Sequence, residues 1–325
     1  MSRSFFLVGL VFFLITIAAQ ARKGDTTLSG NGGMTEAESE ETEDEAEEAV
    51  TMETVEAELQ REMEEEDRLK RVKRSRKMLR KAVKRGSQGD VTEAVAMLNE
   101  AIALDSTNAR AYYNRAFART LNSDTKGAIK DYTKAIELDS MLVSAYLNRG
   151  LSYAEVNDNL AAISDFDKVI EQDSSNAIAY YQRGVAHYLL LHYDTAMTDY
   201  DRALELDTCY SDAYYNRAVL KTKEGRLEEA LADYDLAIKY NPNDADFYNN
   251  RGNVKYALKK YKAAIGDYNK ALYIDDTMGR TYTNRGNAHY MLNERREACR
   301  DWDKARKQGY AFTEEDERFL SKTCK

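Results

Sequence analysis

The sequence predicts an all-α solenoid, built from helix–turn–helix repeats and closed by a C-terminal capping helix. Six arginines recur every 34 residues, and a fixed period of this length is typical of stacked copies of one supersecondary unit. Apolar residues follow three-and-four spacing in both halves of each unit, which indicates two amphipathic helices joined by a turn. A single proline among 325 residues, with 32% charged residues, suits such a chain.

The first 21 residues match a secretory signal peptide. Arg3 precedes an apolar run from Phe5 to Ala19, and Ala19-Gln-Ala21 offers an Ala-x-Ala cleavage site. The run holds about 15 apolar residues, whereas a membrane span needs about 20. We therefore expect cleavage, no stable membrane span, and export to the periplasm, the cell envelope or the exterior, or to the secretory-pathway lumen in a eukaryote. The alternative is an uncleaved anchor.

A charged arm follows this leader. Residues 22–49 are rich in Gly, Ser, Thr and Glu, and we expect an acidic, disordered linker there. Residues 50–74 predict one charged helix with a narrow apolar seam of coiled-coil type. Residues 36–67 hold 17 acidic groups, whereas residues 68–85 hold 11 basic groups and no acid. The net charge of −9 therefore belongs to this arm more than to the repeats.

The basic half of the arm allows several interpretations. A solvated helix, partly neutralised by the acidic half, is the simplest. Contact with an anionic membrane surface or with nucleic acid would use the same charge, but exported proteins seldom meet nucleic acid, so we expect no nucleic-acid partner. Arg68-Leu-Lys-Arg71 and Arg71-Val-Lys-Arg74 also match convertase cleavage sites, which matter only in a eukaryotic secretory pathway.

Residues 75–312 contain seven repeats, of which 109–312 form six good copies and 75–108 a degenerate first one. With Ala109 as repeat position 1, arginine occupies position 7 and aspartate position 23 of each good copy. The arginines are Arg115, Arg149, Arg183, Arg217, Arg251 and Arg285, and the aspartates are Asp131, Asp165, Asp199, Asp233, Asp267 and Asp301. After the last repeat, Thr313-Glu-Glu-Asp indicates a capping box that opens a short capping helix within 313–325.

These repeats resemble the tetratricopeptide repeat (TPR) family. That family prefers an aromatic residue at positions 4 and 24, a small residue at position 8 and alanine at positions 20 and 27. Position 4 holds Tyr112, Tyr146, Tyr180, Tyr214, Tyr248 and Tyr282, and position 8 holds Ala116, Gly150, Gly184, Ala218, Gly252 and Gly286. Val169 at position 27 is an exception. The resemblance covers 75–312 and implies a right-handed superhelix; the ending, with Cys299 and Cys324, is similar to that of exported bacterial TPR proteins.

The arginines and aspartates predict a ladder of half-buried ion pairs. Position 7 in the family is usually a leucine that faces the partner helix, so an arginine there needs a carboxylate. The position-23 aspartates are the obvious partners, either for the arginine of their own repeat or for the arginine of the next repeat. Removing one partner of such a pair is expected to cost up to about 3–5 kcal/mol if burial is deep. The alternative is that the arginines extend to water and the aspartates are surface groups.

The family resemblance also implies a ligand groove, lined by the first helix of every repeat. Position 6 faces it with Asn114, Asn148, Gln182, Asn216, Asn250 and Asn284. Carboxamides both donate and accept, so they can satisfy an extended peptide backbone; the alternative is that they pair with neighbouring helices. An apolar floor of Tyr113, Phe117, Leu147, Tyr181, Tyr188 and Tyr215 lies beside them in the first four repeats, and an exposed apolar strip usually marks a partner site.

Other chemistry lacks a pattern in this sequence. No two histidines stand at metal-ligand spacing and no Cys-x-x-Cys occurs, so we expect no metal and no cofactor. His187 and His289 occupy a position of the family core and are interpreted as packing residues. We find no nucleophile–base arrangement and expect no enzyme activity. Clamps for acidic chaperone tails need lysine at position 5, which is aromatic or neutral in the six good repeats, so such tails are not expected partners.

The three cysteines leave one unpaired in an exported chain. Cys299 lies in the second helix of the last repeat and Cys324 in the capping helix that should pack beside it, so a disulfide between them is expected to staple the cap. Cys209, in a loop between repeats, would stay free. The alternative is three ordinary thiols.

The sequence therefore predicts a non-enzymatic scaffold or adaptor that binds an extended or helical polypeptide segment in its concave groove. A structural or self-assembling envelope protein that uses the charged arm is the alternative, followed by an accessory subunit of an enzyme complex. The identity of the partner is not encoded in these patterns.

Overall fold

The computed structural model describes residues 36–324, with side chains from residue 51 onward. The predicted signal peptide at 1–21 lies outside these residues. The chain divides into two units, with the boundary between Leu69 and Lys70. The described residues form fifteen α-helices: α1 Glu36–Ser87, α2 Val91–Leu104, α3 Ala109–Leu121, α4 Thr125–Leu138, α5 Val143–Glu155, α6 Asn159–Gln172, α7 Ala177–Leu189, α8 Tyr193–Leu206, α9 Ser211–Lys223, α10 Leu227–Tyr240, α11 Ala245–Ala257, α12 Tyr261–Ile274, α13 Gly279–Met291, α14 Arg295–Lys307 and α15 Glu314–Thr323.

These helices pack in consecutive pairs, which confirms the predicted all-α solenoid. In each of the six good repeats, from α3–α4 to α13–α14, the two helices of a pair make the most extensive contact. The second helix of a pair also contacts the first helix of the next pair, and first helices touch their successors more lightly. Each repeat therefore contacts mainly its sequence neighbours, as expected for a stacked array.

Small residues allow the two helices of a pair to approach closely. A Cβ atom built on Gly150 would lie 2.7 Å from the ring of Phe166, and one on Gly252 would lie 2.7 Å from the ring of Tyr268. These rings are buried to 1% exposure or less. The aromatic residue at position 24 thus occupies the space that glycine or alanine leaves at position 8, and a larger residue there would overpack the pair by about 1–3 kcal/mol.

The turn between the two helices uses a left-handed residue at position 15. Gly225 adopts it with φ 78°, but Leu191 and Lys259 adopt it with φ 64° and 59°. Residues with a Cβ atom are disfavoured in this region by about 1–2 kcal/mol. The tight packing of both helices therefore imposes this conformation on residues that do not prefer it.

The turn between repeats is stabilised by an acidic or amide side chain at position 31. The Asp173 carboxylate accepts hydrogen bonds from the backbone N–H and the hydroxyl of Ser175, and these bonds lower the pKa of Asp173. Asp275 is held in the same way by Thr277. Such Asx turns end a helix without proline, which explains how most repeats lack the proline that the family prefers at position 32.

The first helix is longer than the sequence predicts. Helix α1 begins at Glu36, so the expected disordered linker at 22–49 is wrong over residues 36–49. The segment contains neither glycine nor proline and is rich in glutamate and alanine, which are good helix formers. Its uniform charge indicated disorder, but propensity favours the helix. No helix among residues 36–324 combines the length and the apolar character that crossing a bilayer requires.

The C-terminal helix α15 covers the end of the last repeat. Thr313 and Asp316 form a reciprocal capping box at its start. Leu320 is buried against Trp302, and the ring of Phe319 meets that of Trp302 edge-on at 5.9 Å. The final apolar face of the array is thereby removed from water, as a solenoid requires of its terminal element.

A disulfide joins this capping helix to the last repeat. Cys299 on α14 and Cys324 form it with an S–S distance of 1.97 Å and a Cα–Cα distance of 5.6 Å. Cys209 is a free, exposed thiol. The covalent link closes a loop across the end of the array, where helices would otherwise fray.

Candidate functional site

Every position-7 arginine makes a bidentate pair with the position-23 aspartate of its own repeat. Arg217 donates from Nε to Oδ2 of Asp233 at 2.8 Å and from Nη2 to Oδ1 at 2.7 Å. Asp233 is only 3% exposed. The other five pairs have the same geometry: Arg115–Asp131, Arg149–Asp165, Arg183–Asp199, Arg251–Asp267 and Arg285–Asp301.

The third arm of each guanidinium reaches the preceding repeat. Nη1 of Arg217 donates to Asp201 at 2.6 Å, and Nη1 of Arg251 donates to Asp235 at 2.6 Å. Arg183 bonds Asp167 likewise. At the outer junctions the acceptor at this position, number 25, is neutral: Asn99, Thr133 and Asn269. Each arginine therefore joins two repeats; the sequence indicated the position-23 aspartate as its partner but not the acceptor at position 25.

A second cation often joins the buried aspartate. Lys221 lies 2.7 Å from Asp233, and Lys255 lies 2.7 Å from Asp267. Both lysines occupy position 11, one helical turn after the arginine, where Arg119 also pairs with Asp131 at 2.9 Å. The spacing of four residues was the signal for this partner, because residues i and i+4 share a helix face.

The two histidines at position 11 differ in their surroundings. Nδ1 of His289 lies 2.6 Å from Glu294, so this ring is polar-bonded as well as packed. Nδ1 of His187 is buried without a hydrogen-bond partner, and burial lowers the pKa of His187. His187 therefore fits the predicted role of a packing residue, whereas His289 packs and also contacts a carboxylate.

The guanidinium groups are committed to structure. A tyrosine ring at position 4 lies under each one, as Tyr112 does at 5.4 Å from Arg115. The hydrogen bond to Asp131 raises the pKa of Arg115 against the opposing effect of burial. With two side-chain acceptors and an aromatic face each, these arginines have little capacity left for a ligand.

Most of the position-6 amides connect one repeat to the preceding one. Nδ2 of Asn148 donates to the hydroxyl of Tyr113 at 3.1 Å, in the preceding repeat. Asn216 and Asn250 make the equivalent bonds to Tyr181 and Tyr215 at 3.0 and 2.7 Å. Where position 5 has no hydroxyl, the bond changes. Position 5 of the repeat before Gln182 is Leu147, so Gln182 makes no such bond in the described part of the chain. Asn114 donates to the carbonyl of Arg110 in its own helix, and Asn284 donates to Asn249 and Asn253.

These bonds use only the amide donors. Among residues 51–324, no hydrogen bond engages the side-chain oxygen of Asn148 or Asn216. Each tyrosine hydroxyl accepts from the amide and keeps its own proton to donate. At Asn148 and Asn216 the amide donor thus pairs with a neighbouring helix while the oxygen keeps its acceptor capacity, whereas Oδ1 of Asn250 accepts from Asn253 at 3.4 Å.

The apolar floor lies beside these amides. Phe117 is 46% exposed, and the other five floor residues, Tyr113, Leu147, Tyr181, Tyr188 and Tyr215, are half-buried. The rings of Tyr181 and Tyr215 are supported by Tyr210 at 4.7 Å and Phe247 at 4.8 Å, two neighbours that sequence analysis did not single out.

Acidic groups surround the centre of this floor. Burial raises the pKa of Tyr215 to about 12, and the charges of Asp246 and Asp244 add to the shift. Burial likewise raises the pKa of Asp246, with a further contribution from Asp244. The middle repeats therefore present neutral phenols next to carboxylates, which suits a neutral or cationic group more than an anion.

The described residues contain no cluster of three or more His, Cys, Asp or Glu side chains that could hold a metal ion. The chemistry that they offer is hydrogen bonding and apolar contact at a regular pitch.

Comparison with protein families gives matches along most of the repeat array. A family described as TPR repeat matches residues 87–123, 119–157 and 220–259. Three families described as tetratricopeptide repeat match residues 245–278, 147–213 and 199–232. A comparison with curated protein sequences gives no match.

Solved structures with a similar fold include bacterial proteins. A tetratricopeptide repeat protein from Parabacteroides merdae is 22% identical, with a TM-score of 0.58 over 77% of this chain and 98% of that chain. Pseudomonas aeruginosa pilF is 17% identical, with a TM-score of 0.57 over 63% of this chain and 94% of that chain. PilW, described as a type IV pilus biogenesis factor, is 18% identical, with a TM-score of 0.55 over 61% and 92%. These likenesses concern the fold.

The helix pairs, the small residue at position 8 under the aromatic ring of position 24, and the family matches from residue 87 to residue 278 agree with one another. The protein belongs to the tetratricopeptide repeat family.

Proposed function

We propose that this protein is an exported, non-enzymatic scaffold that binds a polypeptide segment along the concave face of its repeats. The repeats and the fold support a protein-interaction scaffold in general, since this repeat fold is typically non-catalytic. The groove, the extended or helical ligand and the export from the cytoplasm are our inferences.

The observation that carries the proposal is a pair of amide oxygens without a protein partner beside an apolar floor. The amide oxygens of Asn148 and Asn216 have no partner among the described side chains, and their donors are fixed on tyrosine hydroxyls. Fixing the donors orients the acceptors before a ligand arrives, which reduces the entropy lost on binding. Backbone N–H groups of a peptide supply the donors that these oxygens lack, and its apolar side chains cover the floor.

The test is site-specific photocrosslinking. A benzophenone amino acid replaces Gln182, whose side chain has no hydrogen bond within the described residues, and the matched control places it at Glu205, which is exposed on the second helix of the same repeat. Proteins of the envelope or secretory fraction are irradiated with each variant. We expect one defined polypeptide segment to be captured at position 182 and not at position 205. Equal capture at both positions would sink the proposal.

A double variant checks the mode of binding. Tyr181→Ala with Asn216→Ala removes one floor ring and one amide, and circular dichroism verifies that the helix content is unchanged. Capture from position 182 is expected to fall at least tenfold, because one buried aromatic side chain and one hydrogen bond are worth about 2–4 kcal/mol together.

Self-assembly is the second candidate, because α1 has exposed apolar side chains. Met52, Val55, Met63 and Leu69 are all more than 40% exposed. Light scattering on chains with and without residues 22–74 separates the two functions. Loss of an oligomer on truncation supports assembly through the arm, whereas a monomer in both cases supports an adaptor.

A further inference from the structure

A cavity of ≈ 200 Å³ opens between the first two repeats, beside the groove residues Asn114 and Phe117. Its walls come from the end of α1, from α2 and from α3. They are almost entirely apolar, and they include Val83, Leu98 and Leu121. Val83, Phe117 and Leu121 are each more than 40% exposed, so the cavity continues into an apolar rim.

The cavity exists because the degenerate first repeat lacks a ring. In the last two repeats the aromatic residue at position 24 runs under the first helix, and its far end reaches position 9. The hydroxyl of Tyr268 donates to Asn253 at 2.9 Å, and Nε1 of Trp302 donates to Asn287 at 3.0 Å. The first repeat has Leu98 at position 24, and this side chain is too short to fill the same space.

A second substitution leaves the cavity open. Position 12 of the later repeats holds a tyrosine, threonine or alanine, but the first repeat has Gly86. A Cβ atom built on Gly86 would have Ala94 as its nearest neighbour at 3.7 Å, an ordinary contact distance. The space is therefore accessible from the groove, and no side chain of the described residues occupies it.

Its size and lining indicate one class of group. An apolar cavity of about 150 Å³ holds a benzene molecule, so ≈ 200 Å³ accommodates the ring of a phenylalanine or tyrosine. Asn114 is the one amide in the wall; its Nδ2 donates to the carbonyl of Arg110, which leaves the side-chain oxygen for a donor on the ligand.

The charges around the cavity indicate what accompanies the ring. Arg76, Arg80 and Arg110 occupy the inward positions 2 and 6 of the two repeats that line it, and all three are exposed. None of them has an ion pair with a described carboxylate, whereas Arg85 nearby is engaged by Asp90. Uncompensated guanidinium groups favour carboxylates on a partner.

We infer that this N-terminal pocket binds an aromatic side chain of a partner polypeptide that carries acidic residues next to that side chain. The inference rests on the proposed groove function and adds an anchor and a direction to it. The aromatic, acidic part of the ligand lies at the first two repeats, and the acidic groups of Asp244 and Asp246 lie further along. Such a segment differs from the acidic chaperone tails discussed above, because the anchor is a ring and position 5 of the first repeat is Leu79.

The probe is the acetylated, amidated peptide Glu-Glu-Phe-Asp-Glu with a fluorescent label, and binding is followed by anisotropy. Two control peptides replace Phe by Ala, or all four acids by Lys. We expect the first peptide to bind the full chain and each control to bind at least tenfold more weakly, since burying a phenylalanine ring is worth more than a factor of ten in affinity. Equal affinity for the Phe and Ala peptides overturns the inference.

The decisive variant is Leu98→Phe, which restores the aromatic residue of the other repeats and fills the cavity from inside. It is expected to retain or raise the melting temperature and to lose peptide binding at least tenfold. If it does not fold, Gly86→Leu fills the same cavity from the α1 side. Unchanged binding in a folded, cavity-filled variant contradicts the pocket.

Three further readouts separate this inference from the groove proposal and from self-association. The Tyr181→Ala, Asn216→Ala double variant is expected to bind the five-residue probe normally, because those residues lie beyond its reach; a loss there assigns the probe to the middle of the groove and overturns the pocket. If Leu98→Phe dissolves an oligomer in light scattering, the occupant is a second copy of this chain, and the partner assignment is wrong. If the Leu98→Phe variant still binds the probe peptide and still gives the crosslink at position 182, the pocket inference fails while the proposed groove function remains supported.

Discussion

Asn216 donates a 3.0 Å hydrogen bond from Nδ2 to the hydroxyl of Tyr181, which belongs to the preceding repeat. The bond places a residue of the proposed groove at the junction between two repeats. A ligand that contacts this amide therefore contacts a group on which the geometry of the junction depends.

Asn216→Ala is expected to lower the free energy of unfolding by about 1 kcal/mol, because it leaves the half-buried tyrosine hydroxyl without its partner. The matched control is Gln182→Ala. The repeat before Gln182 has Leu147 in place of a tyrosine, so Gln182 makes no such bond within the described residues. Truncating Gln182 should therefore change the free energy of unfolding by less than about 0.5 kcal/mol. Chemical denaturation of both variants measures the difference, and equal values would show that the inter-repeat bond contributes nothing.

Asp233→Asn is expected to destabilise the protein by about 3 kcal/mol, since it leaves Arg217 and Lys221 without the buried carboxylate that both contact. Asp201→Asn tests the same arginine from its other side. Asp201 is 51% exposed, and exposed ion pairs are worth about 0–1 kcal/mol. Thermal or urea unfolding of the two variants should therefore differ clearly; similar losses would mean that burial of the pair is unimportant.

Leu191→Gly is expected to raise the stability of the protein by about 0.5–1 kcal/mol. Leu191 has φ 64° and is 69% exposed, so glycine relieves backbone strain and sacrifices little packing. The reverse experiment is Gly225→Ala at the equivalent position, where φ is 78°; it should be destabilising. Opposite shifts of the melting temperature confirm the strain, whereas a loss of stability in Leu191→Gly contradicts it.

The disulfide predicts the number of reactive thiols. In the native, oxidised protein one thiol, that of Cys209, should react with a thiol reagent, and after reduction three thiols should react. Cys324→Ser should lower stability by about 2–4 kcal/mol, because it removes the link across the capping helix. This variant should contain two free thiols, those of Cys209 and Cys299, and the rate at which Cys299 reacts depends on its exposure. Three reactive thiols in the untreated protein would exclude the link.

A fall in pH is expected to destabilise the protein through His187. Burial lowers the pKa of His187 below its ordinary value of 6.5, with Arg183 and His192 acting in the same direction and Asp199 against them. The unfolded chain therefore binds more protons than the folded chain as the pH falls through 6.5 and below, so stability decreases.

The measurement for this effect is the difference in melting temperature between the wild type and His187→Tyr, followed from about pH 7.5 to about pH 5.5. Tyr153 holds the equivalent position in the preceding repeat, so tyrosine is accommodated there. The difference should grow in favour of the variant as the pH falls. A difference that is independent of pH would place the titration elsewhere.

Much of the fold follows from the spacing of residues in the sequence. A period of 34, the small residue at position 8 and the aromatic residue at position 24 determine which faces of two helices meet, and these are local and periodic signals. The start of α1 at Glu36 was not predicted, because the same glutamate-rich composition suits a solvated helix and a disordered chain.

The sequence allowed the residues of the candidate site to be predicted better than the hydrogen bonds that they make. Arg217 and Asp233 are paired by position, but the reach of Arg217 to Asp201 depends on how repeats stack, which no single unit encodes. The cavity beside Leu98 was also not predicted from the sequence, because it arises where side chains of neighbouring helices fail to fill the space between them. Comparison of the degenerate repeat with the good ones, position by position, would have identified it.

The junctions of this array are unequal, because the acceptor of the third guanidinium arm is charged only in its centre. Asp167, Asp201 and Asp235 carry charge, whereas Asn99, Thr133 and Asn269 do not. In a one-dimensional array, the coupling between neighbours decides how far an opening fluctuation spreads. Salt screens the central junctions and leaves the outer ones unaffected. Ionic strength is therefore a control on cooperativity: the middle repeats should open as one block in dilute buffer and more independently in concentrated salt, while the flanking repeats open in the same way in both.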